Sequence, residues 1–291
     1  MPYWERYAGE VDDSKKAIEA RYNAADMLYR AGKWKDAIKS YAGFIQRFDR
    51  NSEAGPFVVK AAYRAAQCEV KTTKKSKDII AAWNRTVDIY KRLVKDPGSM
   101  SAEYAAECHF MTIEEDMRAF EKFEIKGNQK QLDTKLREGA GQVKSFEERY
   151  REIQQYRRPV WSLAAEFRIG FAYEVYAKAI LRIPPPPLDA ELQKALKQLP
   201  PEDREIVMME YEDKFRTAME QKVVPMEERA QEEYKIAVNL AREGNISNEW
   251  TLLALERMNA YDPDNYPRQH NGVVELGADT VAAPPFAAMV E

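Results

Sequence analysis

Cys108 and His109 stand side by side in the stretch AAECHF, in a chain of 291 residues that holds only two cysteines and two histidines. A thiol beside an imidazole raises three readings: a nucleophile with its base, half of a metal site, or packing. Neighbouring residues of a helix point about 100° apart, so this pair cannot grip one ion or pass a proton between its members. The sequence contains no GxGxxG, GxxxxGK[ST], HExxH or CxxC pattern. Paired carboxylates occur at Glu114 to Asp116, at Glu147 and Glu148, and at Glu227 and Glu228. In a chain with 32% charged residues these are expected to be solvated helix faces. We therefore assign no catalytic residue, no metal ligand and no cofactor, and expect Cys68 and Cys108 to be buried free thiols.

The elements that would position these residues are helices. Glycine is sparse, at 12 residues, and Ala, Glu, Lys, Leu, Arg, Gln and Met are plentiful. Acidic and basic residues number 48 and 45. With no basic excess to neutralise phosphates, nucleic acid is not an expected partner. No apolar run reaches the ~18 residues of a transmembrane helix. The opening MPYWERYAGEVDD lacks the basic head and apolar stretch of a signal peptide. The chain is accordingly expected to be cytoplasmic, or the mature region of an exported protein.

In ARYNAADMLYRAGKWKDAIKSYAGFIQRF, residues 20–48, Ala24, Ala25 and Leu28 recur at helical spacing, and Gly32 breaks the run. Ala37, Ile38, Tyr41 and Ile45 then resume it, predicting a helical hairpin. From Ala25 onward, with Leu28, Gly32, Trp34, Ala37 and Tyr41, this segment resembles a tetratricopeptide (TPR) repeat; Arg21, where the family has a bulky apolar residue, is atypical. The pattern recurs. KWKDAIKSYAGFIQRF from Lys33 aligns with KSKDIIAAWNRTVDIY from Lys75, a shift of 42, and RAAQC ending at Cys68 aligns with YAAEC ending at Cys108, a shift of 40. Ala25, Ala66, Ala106 and Gly170 then share one repeat position, and Met27, Cys68, Cys108 and Ala172 another. At that second position the family prefers a small residue packed on the neighbouring repeat, which the soft thiol suits. Equivalent points of stacked repeats lie roughly 10 Å apart, too far for a disulfide between Cys68 and Cys108.

The second half of the third repeat is expected in QLDTKLREGAGQVKSFEERYREIQQY, with Val143, Phe146, Tyr150 and Ile153 as its seam. EFRIGFAYEVY opens a fourth repeat, whose second helix is displaced by RIPPPPLDAE. Pro184 to Pro187 cannot continue a helix and are expected to form a stiff elbow. Ile206, Met209, Phe215 and Met219 predict an inserted helix whose stripe covers the array's side. Ala230, Tyr234, Ala237 and Val238 mark the completing helix, with Gly244 as its stop. SNEWTLLALERMNAYDP predicts a C-terminal capping helix, held by Trp250, Leu253, Ala254 and Met258. The expected fold is all-α: a TPR-like superhelical array of helical hairpins with a proline-rich break and a C-terminal capping helix. The expected organisation is repeats 1–3 and the first helix of repeat 4 over 1–183, the elbow and inserted helices over 184–224, the completing and capping helices over 225–267, and a loop-like tail over 268–291.

The succession from EFRIGFAYEVYAKAI through NEWTLLALERMN to DPDNYP resembles, more narrowly, the C-terminal region of delta-proteobacterial cell-envelope TPR proteins, including those of the gliding-motility (Agl/Glt) type. That resemblance implies a non-enzymatic protein-protein interaction scaffold in the periplasm or at the outer membrane, with protein partners in an envelope complex. The alternative is a cytoplasmic TPR adaptor or chaperone. At the positions that line the concave groove in TPR proteins, the chain has Tyr22, Asp26, Tyr29, Tyr63, Gln67, Glu103, Glu107, Phe110, Phe167, Phe171 and Glu174. This aromatic and acidic ladder suits an apolar peptide carrying Lys or Arg. Phe110 is its foremost functional candidate.

Overall fold

A computed structural model describes residues 14–267 together with Tyr3 and Arg6; the tail expected over 268–291 lies outside the described residues. The described residues form ten α-helices and no strand: α1 (Ser14–Arg30), α2 (Trp34–Phe48), α3 (Gly55–Thr72), α4 (Ser76–Leu93), α5 (Met100–Phe120), α6 (Gln129–Arg151), α7 (Pro159–Leu181), α8 (Ala190–Gln198), α9 (Pro201–Glu243) and α10 (Glu249–Tyr261), with a 3-10 turn at Glu152–Tyr156. They pair as hairpins: α1 with α2, α3 with α4, α5 with α6, and α7 with α9.

Local chemistry sets the joints. Gly32 takes φ +70°, which lets the Lys33 N–H close back on the Leu28 carbonyl at 3.0 Å. Ser99 caps α5 by accepting from the Ala102 N–H, and Asn128 with Gln131 forms a reciprocal capping box on α6. Helix α9 stops at Gly244, its C-cap, as expected, but the left-handed residue is Asn245, at φ +48°. The Ile246 N–H there closes on the Ala241 carbonyl at 2.8 Å. Asn tolerates that conformation, so the glycine one place earlier stays helical.

The two members of each hairpin differ in burial. The second helices bury a single stripe, such as Ala37, Tyr41, Phe44, Ile45 and Phe48 on α2, or Val143, Phe146 and Tyr150 on α6. The first helices α3, α5 and α7 are buried on several sides, because each meets its own partner, the second helix of the preceding hairpin and the first helices of adjoining hairpins; α1 meets α2 and α3. Small residues make that crowding feasible: Ala61, Ala62 and Ala66 on α3; Ala102, Ala105 and Ala106 on α5; Ala164, Ala165, Gly170 and Ala172 on α7. Second helices reach one another through long side chains, as in Arg229 of α9 with Glu147 of α6 at 3.0 Å.

Past α7 the arrangement departs from expectation. The inserted and completing helices are one continuous helix, α9, which runs through Pro225. Proline removes one backbone N–H, but Pro225 and Gln221, whose carbonyl loses that donor, are both exposed, so water can take its place. With 43 residues against 23 in α7, α9 is ~65 Å long beside a partner of ~35 Å. Its N-terminal half therefore overshoots. Ile206 and Met209 are 55% and 61% exposed and do not cover the array's side, whereas Met219 and Val223 are buried. Pro184 to Pro187 form an exposed non-helical link, tied to α9 by the Tyr211 hydroxyl donating to the Pro186 carbonyl at 2.9 Å.

Helix α9 lies so close to α7 at Gly170 that an added Cβ would stand 2.9 Å from the Tyr234 ring and 3.0 Å from the Ala230 carbonyl. Gly170→Ala is expected to cost about 1–3 kcal/mol through overpacking, outweighing alanine's better helix propensity. Thermal unfolding measures it; Gly43→Ala, where a Cβ meets nothing within 4 Å, is the control.

Candidate functional site: the face of the first helices

Cys108 and His109 diverge on α5. The Cys108 thiol is fully enclosed in a cluster with Tyr63, Ala66, Trp83 and Val87 of the second hairpin, and burial pushes its pKa well above the ordinary thiol range. Burial also pushes the Cys68 thiol up, to about 11. Both are free thiols. Met27, at the equivalent position of the first hairpin, is 48% exposed because no preceding hairpin stands among the described residues to cover it. His109 Nδ1 lies 3.1 Å from the Tyr156 hydroxyl, and burial, aided by Lys91 and Arg149, lowers its pKa to about 4. A neutral imidazole and a protonated thiol set about 100° apart around a helix make neither dyad nor metal site.

The residues expected to line the groove do fall along one face of α1, α3, α5 and α7, where they bond chiefly to one another and to neighbouring helices. Asp26 accepts from Tyr22 (3.2 Å), Tyr41 (3.1 Å) and Arg30 (2.7 Å). The Tyr29 hydroxyl donates to Gln67 Oε1 at 3.0 Å, joining α1 to α3. The Tyr63 hydroxyl donates to Glu107 at 2.8 Å, joining α3 to α5. Glu103 accepts from Trp161 Nε1 at 2.9 Å and pairs with Arg158. Glu174 accepts from the Tyr234 hydroxyl at 2.6 Å and pairs with Arg257 at 3.3 Å and with Lys178.

Six of the eleven do not line an open surface. Tyr22, Asp26, Tyr63, Phe110, Phe167 and Glu174 are buried, while Tyr29, Gln67, Glu103, Glu107 and Phe171 keep partial exposure. Phe110 is only 1% exposed, with the rings of Tyr150, Trp161 and Trp250 each centred 5.4 Å away. The cause is α10. Rather than standing at the array's end alone, it lays Trp250 across the face, against Phe110 and, at 5.7 Å, Phe167. Of the residues expected to anchor α10, Ala254 and Met258 are buried, but Leu253 remains 36% exposed. Trp250 thus covers the face at Phe110 and Phe167, while Tyr29 on α1, Gln67 on α3 and Glu107 on α5 keep partial exposure.

Cations absent from the expected aromatic and acidic ladder also lie on this face. Lys60 Nζ sits 5.0 Å from the centre of the Tyr22 ring, and the Arg64 guanidinium lies 4.6 Å from that of Tyr29. Arg168 lies over Phe171 and Trp250 at 5.4 and 5.3 Å. The available signal was the one-turn spacing of Lys60 and Arg64 on a first helix.

A second polar cluster, not foreseen, fastens α9 to α6 and α7. Glu233 and Glu166 are almost fully buried. Arg151 Nη2 meets Glu233 at 2.6 Å and its Nη1 meets Glu166 at 3.6 Å; Arg229 meets Glu233 at 2.7 Å and Glu147 at 3.0 Å. Glu147 also accepts from the Tyr173 hydroxyl at 2.7 Å, and Glu166 accepts from Gln154. Three carboxylates thus face two guanidiniums. Oε2 of Glu166 and Oε2 of Glu233 are buried without a donor. A proton on Glu166 converts one of these acceptors into a donor; burial, then the neighbouring Glu233, pushes its pKa up to about 8.

No protein-family model matches the chain, and no curated protein matches it in sequence.

Two outcomes follow. A thiol reagent such as 5,5′-dithiobis(2-nitrobenzoate) is expected to leave both cysteines unmodified in the folded protein and to titrate two thiols in denaturant; rapid reaction of the native protein contradicts this burial. For Glu166, the folded pKa is raised above the unfolded value. Its stabilising contribution is therefore complete below about pH 4.5 and falls as pH rises toward about 8. Glu166→Gln, which keeps a donor toward Glu233, is expected to flatten that decline in unfolding free energy measured by denaturant titration across the window. A variant that declines as steeply as the native protein excludes Glu166 as the titrating group.

Proposed function

We propose that the four hairpins form a TPR-like right-handed superhelix serving as a non-enzymatic protein-protein interaction scaffold, with its docking surface on the face of the first helices. The packing scheme supports this reading: first helices lie side by side, second helices are held apart at the backbone, and an array packed so curves toward the first helices. The partly exposed residues Tyr29, Gln67 and Glu107, spread over the first helices of three successive hairpins, are the observation that carries it. Aromatic and amide groups fixed by cross-helix hydrogen bonds form a preorganised surface of the kind that holds an extended or helical segment of a partner. The partly exposed stretch from Tyr29 through Gln67 to Glu107 is the working part of the groove, because Trp250 occupies the face at Phe110 and Phe167.

In the same proposal the scaffold belongs to a bacterial envelope complex, in the periplasm or at the outer membrane, a reading supported by the resemblance of the C-terminal half to gliding-motility-type envelope proteins. No helix among the described residues is long and apolar enough to cross a membrane. Cell fractionation tests the compartment, and recovery in the cytosol favours the adaptor or chaperone alternative.

The surface is tested by affinity capture from an envelope extract, with the full chain as bait beside Tyr29→Ala combined with Gln67→Ala. Circular dichroism should show helix content unchanged, and at least one partner bound by the native chain should be lost. Retention of every partner at unchanged affinity shows that the first-helix face is the wrong surface.

A further inference from the structure

Along the face of the first helices, charge is matched almost everywhere. Arg158 pairs with Glu103, Arg168 with Glu114 at 2.5 Å, and Arg257 with Glu174 at 3.3 Å. Asp26 is saturated by three donors. Glu107 accepts from the Tyr63 hydroxyl at 2.8 Å, so it too is engaged within the stack although partly exposed. Lys60 and Arg64, one helical turn apart on α3, break the pattern: neither forms an ion pair with any carboxylate of the described residues.

Arg64 is held by uncharged groups, and the Glu107 carboxylate acts on it only from beyond ion-pair distance. Its Nη1 donates to the Tyr29 hydroxyl at 3.1 Å and to Gln67 Oε1 at 2.8 Å, and its guanidinium stacks between Tyr29 at 4.6 Å and Tyr63 at 5.9 Å. Its Nε is buried without an acceptor. Lys60 is steadied over Tyr22, whose ring also meets Phe57 at 5.6 Å. Both cations are partly exposed. A half-buried guanidinium clamped between aromatic rings has already lost much of its side-chain entropy and some of its hydration. An arriving carboxylate gains a charge-assisted bond with little further ordering of the protein.

We infer that Lys60 and Arg64 form an acid-recognition subsite, and that the segment which docks on this face is an acidic peptide stretch of a protein partner, with a carboxylate bridging the two cations. This rests on the scaffold reading above and reverses the charge expected of the ligand, since the acids of the ladder are already engaged. Side chains about 6 Å apart on one helix face suit a single bridging carboxylate. The partly buried rings of Tyr29, Trp34 and Phe57 beside them offer apolar contact to the residues flanking it, which favours a peptide over a bare anion.

The test is fluorescence anisotropy of the full chain with labelled twelve-residue peptides carrying two Asp or Glu residues among Leu and Phe, each beside its Asn or Gln counterpart. Acidic peptides are expected to bind, weakening with salt, and their amide counterparts to bind at least about tenfold more weakly. Lys60→Glu, which breaks no hydrogen bond of the fold, should weaken the acidic peptides by about tenfold or more, and Arg64→Lys should weaken them measurably. Equal binding of acidic and amide peptides, or affinity unchanged in Lys60→Glu, overturns the subsite; so does complete displacement by millimolar inorganic phosphate, the mark of an unspecific anion site. Amide peptides that bind and are lost with Tyr29→Ala but not with Lys60→Glu overturn acid recognition alone and leave the scaffold reading intact.

Discussion

The structure depends on how closely the first helices of the hairpins must approach. From the second hairpin onward, each is wedged between its own partner, the second helix of the previous hairpin and the neighbouring first helices, so little of its circumference is free. Alanine and glycine at the contact positions keep the distances short enough for rigid, close-packed stacking. Gly139 shows how tight this is: an added Cβ would lie 2.5 Å from the ring of Tyr176. The two thiols occupy places in this seam, where size matters and reactivity does not.

Crowding on that scale governs the polar residues as well. A carboxylate or hydroxyl on a first helix is taken out of water whether or not it has a function, and it needs a partner once there. Tyrosines therefore reach across to acids on the next helix, as Tyr63 does to Glu107 and Tyr150 to Glu114. Arginines close the remaining gaps. Spacing that looks in sequence like a ladder of ligand-binding groups is, over much of its length, the internal bonding of the stack. The same demand produces the Glu166 and Glu233 pair, whose unpartnered oxygens call for a shared proton beside Arg151 and Arg229.

The C-terminal third modifies this plan by length rather than by kind. Helix α9 supplies the missing partner of α7, and its register is fixed by Tyr234 over Gly170 and by the ion pairs to α6. Its first half extends past the array because nothing of matching length stands beside it. Helix α10 turns back and inserts Trp250 among Phe110, Phe167 and the guanidinium of Arg168. One end of the first-helix face is thereby packed shut, and unpaired positive charge is concentrated at the other.

The sequence by itself determined the helices, their hairpin pairing and the small-residue seam, because periodicity and repeated spacing report which side of a helix is buried. It placed Gly32, the break at Pro184 to Pro187 and the inert thiols for the same reason: each is a local or nearest-neighbour property. Only tertiary structure decided that α9 continues through Pro225, since solvent on the proline's side is not a local signal. It alone placed Trp250 over Phe110, a contact spanning 140 positions of the chain. It also decided which charges on the face are spent, because that depends on which long side chains meet across helices distant in sequence. Lys60 and Arg64 stand out only once the partners of all the others are known.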